Sequence, residues 1–163
     1  MQRRKFITLV GAAAVGRTRA VRAQQPAMPV VGFLRSASLA DATGFVTAFR
    51  KGLEEEGFVD GQNVSIELRS AENQPDRLQA LVADLIRLPA AVIVGNAVAM
   101  LAARAATTTV PIVFAAGGDP VRDGLVTSMN RPGGNVTGVN FFAGLLGAKR
   151  LELLRRLVPN ATT

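Results

Sequence analysis

Short apolar runs and longer apolar stripes take turns along the chain from residue 28 onward. Residues 29–34 (PVVGFL) form a continuous apolar run, the pattern of a strand covered on both faces. Over 40–56, Phe45, Phe49 and Leu53 recur at every fourth position, which predicts a helix with these three on its inner face. Gly57 follows as the residue that tolerates a left-handed helix end. Asp60-Gly61 marks a turn, and Val64, Ile66 and Leu68 alternate as a second strand over 64–68. Pro75 opens a helix where its missing N–H costs nothing, and Leu78, Leu81, Val82, Leu85 and Ile86 make its apolar stripe. A third strand over 90–94 (AAVIV) is closed by Gly95-Asn96, an alanine-rich helix runs to about residue 107, and 111–115 is a fourth strand. The spacing predicts a short helix over 121–129, a fifth strand over 136–139, and a last helix over 145–157 that uses Leu151, Leu154 and Val158.

Five rounds of strand then helix predict an α/β fold built on a doubly wound, mostly parallel sheet. In such sheets ligands sit outside the carboxyl ends of the strands. Three loops occupy that position: Arg35-Ser36-Ala37-Ser38, Gly95-Asn96-Ala97, and the one ending in Asp119-Pro120. Each has two readings. Ser36 and Ser38 are strong helix caps, but the same geometry leaves hydroxyls and backbone N–H groups free to hold a carboxylate or another anion. Asn96 either caps the helix after it or lines a site that small Gly95 and Ala97 open to a ligand. Asp119, restricted toward extended geometry by Pro120, either caps the following turn or pairs with a ligand ammonium group. Arg131-Pro132-Gly133-Gly134-Asn135 reads as a turn, because it lacks the Gly-Lys-Ser/Thr ending of a phosphate loop. No GxGxxG occurs, so a dinucleotide site has no support.

Composition narrows the chemistry. Apolar residues make up 48% and charged residues 19% of 163, the mixture of one ordinary globular domain. There is no Cys, His, Trp or Tyr, which removes disulfides, thiolate chemistry, a Ser-His-Asp triad and His- or Cys-based metal sites. A carboxylate-only magnesium site or acid–base pair stays open, but no carboxylate pair sits at a telling spacing, so no catalytic residue, metal or cofactor is assigned. The formal net charge of +7 is concentrated in the tail: Arg3, Arg4, Lys5, Arg17, Arg19 and Arg22 lie in residues 1–23 with no acid among them. The remainder is close to neutral, so nucleic acid is not an expected partner.

Residues 1–23 have the order of an export signal: a basic start, an apolar stretch over 6–16 and small residues near Ala23. The apolar stretch is too short for a permanent bilayer span, which takes about 20 residues. Arg3-Arg4-Lys5-Phe6-Ile7 resembles the twin-arginine export pattern. No Cys follows the apolar stretch, so the expectation is a periplasmic protein without a lipid anchor at this site. Arg17, Arg19 and Arg22 crowd a region where such signals avoid charge.

The segments PVVGFLRSAS, GFVDGQNVSIELRSAE, PIVFAAGGDPVRDGLVTSMNRPGGNVTGVN and GAKRLELLRRLVPNAT together resemble the solute-binding proteins of ABC transporters with the type I periplasmic-binding fold. The nearest branch is the one associated with tryptophan, tyrosine and related small solutes. The resemblance implies two α/β lobes that hold a ligand between them and deliver it to a membrane permease. It maps the first lobe's binding loops onto Ser36, Ser38, Asn96, Ala97, Asp119 and Pro120, with Asn140 near the crossing point. With no Trp or Tyr, apolar contacts from this lobe would come from residues such as Phe33, Phe114 or Phe141. Such proteins run to about twice this length, so the expectation is an N-terminal lobe over 28–144 and a helix over 145–163 leading toward a missing second lobe. Two other classes compete. A ligand-sensing domain of a transcription regulator would need a helix-turn-helix that residues 1–28 cannot hold, and a small α/β enzyme would rest on carboxylates, Ser and Lys.

Overall fold

The computed structural model describes residues 28–158; the export-signal reading of residues 1–23 lies outside the described residues. Five strands form one sheet: β1 (Val30–Arg35), β2 (Ser65–Ser70), β3 (Ala90–Asn96), β4 (Ile112–Ala116) and β5 (Val136–Asn140). All neighbours pair parallel, in the order β2-β1-β3-β4-β5. The helices are α1 (Thr43–Glu55), α2 (Leu78–Arg87), α3 (Ala97–Ala106) and α4 (Gly147–Leu157). This is the expected α/β fold with a parallel sheet.

Period-two alternation along β1 sends successive side chains to opposite faces and so divides the core. Phe33 packs with Ala42, Val46 and Ile66 beneath α1. Leu34 packs on the other face with Leu85, Ile93, Met100 and Phe114, where α2 and α3 lie. Full burial of a side chain of this size stabilises the fold by about 1.5–3 kcal/mol relative to leaving it in water. That accounts for the strength of the apolar runs that placed the strands.

Three expectations need correction. The buried stripe of α1 runs through Val46, with Phe49 and Leu53 half-buried, whereas Phe45 is 60% exposed. A spacing of four overshoots the helical repeat of 3.6, so the 45-49-53 row winds off the core face. The segment 121–129 is turns, not a helix. The Asp123 amide donates to the Asp119 carbonyl in one helical turn, and Gly124 then takes a φ of +76°. That reversal, open to glycine, aims the amides of Leu125 and Val126 at the Pro120 carbonyl and buries both side chains. Elsewhere in the sheet, Ala115 of β4 and Thr137 and Val139 of β5 are exposed, so one face of this edge lies open. Gly95 belongs to β3 rather than to a loop.

Candidate functional site

The chain leaves β1 toward β2 on one side and returns as β3 on the other, which makes the β1–β3 junction the switch point of the sheet. Loops that depart in opposite directions leave a crevice beyond the carboxyl ends of those two strands. A cavity of about 330 Å³ opens there. Arg35 enters it from the end of β1, Gly95 and Asn96 from β3, Ala115 and Gly117 from β4 and the segment after it. Phe33, Phe45, Phe49 and Phe141 supply its aromatic wall.

The two outer loops of the crevice are tied together. The Asn96 Nδ2 donates to Ser36 Oγ at 2.7 Å, and the Ser36 amide donates to Asn96 Oδ1 at 3.1 Å. Asn96 therefore does not cap α3, which has no side-chain cap bond. Its amide is extended toward β1 because β3 continues through it. The strands approach closely at this point: a Cβ on Gly95 would collide with the Leu34 carbonyl oxygen and stand 2.8 Å from Met100 Cε. The small residue thus serves strand packing rather than a tight loop.

Among the described residues, Arg35 is the one titratable side chain lining this cavity. Its guanidinium carbon stands 5.1 Å from the Phe45 ring centroid, within cation–π reach. Its Nε is buried and has no hydrogen-bond partner among the described residues. Sequence reasoning placed Arg35 at a strand end without giving it a role. The available signal was a cation closing an otherwise apolar run.

The remaining sequence-derived residues fall elsewhere around the same edge. Ser38 Oγ accepts from the Ala40 amide at 3.2 Å, a local turn contact. Ser38 also helps hold the exposed Glu72 carboxyl below the ordinary range, after the larger effect of the Ser70 hydroxyl and before that of the Leu39 amide. Asp119 Oδ1 accepts from the amides of Val121 and Arg122 at 3.0 and 3.1 Å, so it caps the turn that follows. Asp119 and Pro120 line a second cavity of about 370 Å³, shared with Arg122, Met129 and Phe142. Asn140 Nδ2 donates to the Gly118 carbonyl, and Asn140 Oδ1 accepts from the Phe142 amide, both at 2.6 Å. These bonds hold the chain leaving β5 against the loop after β4. Ala97 begins α3 and is half-buried, apart from the residues lining either cavity. Phe33 and Phe141 line the first cavity, whereas Phe114 is buried in the core.

Chemically, the first cavity combines one cation, one amide and an aromatic wall. It can bind and orient a small molecule, and among the described residues none of its lining side chains is a nucleophile or a general base at neutral pH.

Comparison with known proteins agrees with a binding site. Residues 30–163 match the family described as ABC transporter substrate binding protein. A Tyrosine-binding protein of Clostridioides difficile (strain R20291) is 35% identical over 114 residues, covering 69% of this chain and 32% of its own length. A conserved domain protein of Vibrio cholerae superposes with a TM-score of 0.74 at 26% identity, over 82% of this chain and 45% of that one. A domain from Streptococcus pneumonia solved in complex with L-Trp gives 0.63 at 29% identity, over 69% and 38%. The ligand-free, open structure of a Clostridium difficile substrate binding protein with adhesive properties gives 0.65 at 30% identity, over 82% and 45%. The chain spans about a third of the length of the curated relative and under half of each solved one.

Proposed function

The chain belongs to the ABC transporter substrate-binding protein family, and on that premise we propose that it is the solute-binding component of an ABC importer. Residues 1–23 direct it out of the cytoplasm, and it works in the periplasm without performing chemistry. There it holds a small solute of amino-acid size and passes it to a membrane permease. The observation that carries this reading is the cavity at the switch point of the sheet, where a parallel fold presents its loops to ligands. Asn96 touches the solute, Ser36 positions Asn96, and Asp119, Pro120 and Asn140 shape the neighbouring rim. Ser38 and Ala97 set the loops from which these groups project. Relatives that bear the names of tyrosine and tryptophan support a solute of that size.

The cavity is one wall of a cleft, and small ligands gain most from being enclosed. The chain alone should therefore bind no tighter than about millimolar, and joining it to a second lobe of the family should strengthen binding by several orders of magnitude. A panel of amino acids and related solutes titrated against both forms tests the reading. It fails if neither form holds any member of the panel. Export is checked separately by fusing residues 1–30 to a reporter active only outside the cytoplasm. Arg3→Lys with Arg4→Lys should lower its signal; an unchanged signal removes the twin-arginine route.

A further inference from the structure

Four of the chain's eight phenylalanines, Phe33, Phe45, Phe49 and Phe141, converge on the one cavity that also contains Arg35. Two of them, Phe45 and Phe141, are 60% and 63% exposed. Aromatic rings left in water around a concavity are an unsatisfied apolar surface, and that surface is suited to a flat apolar partner. Phe33 and Phe49 lie deeper, with ring centroids 5.1 Å apart and tilted by 41°, and make a firm floor. The volume of about 330 Å³ suits a single ring with a short polar arm.

Arg35 defines the polar arm. It forms no ion pair among the described residues, although eight ion pairs occupy other basic side chains. Its Nε is buried with no acceptor. A buried cationic N–H without an acceptor is unfavourable, and a carboxylate beside the guanidinium's outer N–H groups would offset the charge that this N–H carries. A guanidinium also presents adjacent donors in the geometry that a carboxylate accepts in pairs. Phe45, with its ring 5.1 Å from the guanidinium carbon, favours the cation at the cavity wall. Next to it, Asn96 Nδ2 uses one N–H on Ser36, so its second N–H is available to the same ligand group.

An ammonium group finds nothing comparable here. Among the described residues, no acidic side chain lines the cavity. Asp119 lines the other cavity, and its Oδ1 is already held by two backbone amides.

We propose that this cavity selects an aromatic carboxylate, with the acid held by Arg35, the ring held by the phenylalanine wall, and no contact from this wall to an α-ammonium group. The proposal rests on the solute-binding reading above and specifies its substrate class.

The test compares 3-phenylpropanoate, its neutral amide and phenylalanine on the full chain, using ligand-observed NMR titration, which reads millimolar dissociation constants. The acid should bind at least about tenfold tighter than the amide, the size expected for one hydrogen bond to a charged group. It should bind at least as tightly as phenylalanine. Arg35→Gln should abolish the acid-over-amide preference while leaving weak binding of both. Phe141→Ala, at an exposed position, should weaken acid and amide equally. Thermal melts check that each variant is folded; should Arg35→Gln unfold, the acid-to-amide ratio of the wild type and the Phe141→Ala result still decide. Equal binding of acid and amide overturns the role of Arg35, and tenfold tighter binding of phenylalanine overturns the absence of an ammonium contact. Failure of all three to bind overturns the aromatic-acid proposal. Aliphatic solutes titrated in the same way then show whether the solute-binding reading falls with it.

Discussion

The reciprocal pair between Ser36 and Asn96 joins residues 60 apart in sequence, and it makes a quantitative claim. Asn96→Ala removes two partly buried hydrogen bonds, at 2.7 and 3.1 Å, and leaves the Ser36 amide without its acceptor. At about 1 kcal/mol for each bond, with more for an unsatisfied group, the loss should be about 2–3 kcal/mol. For a chain of this length that lowers Tm by roughly 5–10 °C. Ser36→Ala removes only the bond to Oγ and should cost about 1 kcal/mol. The double variant should cost little more than Asn96→Ala alone, because both changes delete the same contact. A double-mutant cycle in urea should therefore give a coupling of about 1 kcal/mol with unchanged m-values. If Asn96 were only a helix cap, its loss would cost about 1 kcal/mol and the two effects would add. A coupling below about 0.5 kcal/mol would refute the pairing as a strut across the switch point.

Asp119→Ala should lower stability by about 1 kcal/mol through loss of its cap and change solute affinity far less, because it shapes the rim without touching the solute, and Asp119→Asn should restore most of the loss; calorimetry beside thermal melts separates the two quantities. Gly138→Ala should destabilise the fold by about 1–3 kcal/mol, because a Cβ there would stand 2.6 Å from Phe114 Cγ; a urea midpoint equal to wild type would contradict the close approach of β4 and β5. Glu72 is held below its ordinary pKa by Ser70, Ser38 and the Leu39 amide, so its contribution is present above the ordinary value and is lost as pH falls through the folded one. The difference in Tm between wild type and Glu72→Gln should accordingly shrink in acid below the ordinary glutamate range, and a difference that grows there would reverse the sign. Leu151 and Leu154 are 61% and 57% exposed on α4, so the full chain should self-associate and Leu151→Lys with Leu154→Lys should suppress this. Sedimentation showing a monomer at high concentration without the substitutions would dismiss that face as a cause of association.

Apolar periodicity located all five strands to within about two residues, because a strand covered on both faces carries a continuous apolar run and the edge strand β2 alternates. Regular alternation with helices also determined that the strands would be parallel, since each crossover must return the chain to the same edge. Spacing by fours placed α1 but turned its inner face, exposing Phe45, because packing follows 3.6 residues per turn rather than four. The helix expected over 121–129 gave way to turns, because burying Leu125 and Val126 required the reversal at Gly124. No local pattern could announce that Asn96 reaches Ser36, or that Asp119 faces a different cavity. Those relations depend on which strand lies beside which. The order β2-β1-β3-β4-β5 brings the end of β1 against the end of β3, and with it Arg35, Asn96 and the phenylalanines. The sequence by itself determined the strands, most of the helices and the edge onto which the candidate loops open, because burial is written in local periodicity. Only the tertiary structure decided which side chains share a cavity, because convergence arises between residues that are distant along the chain.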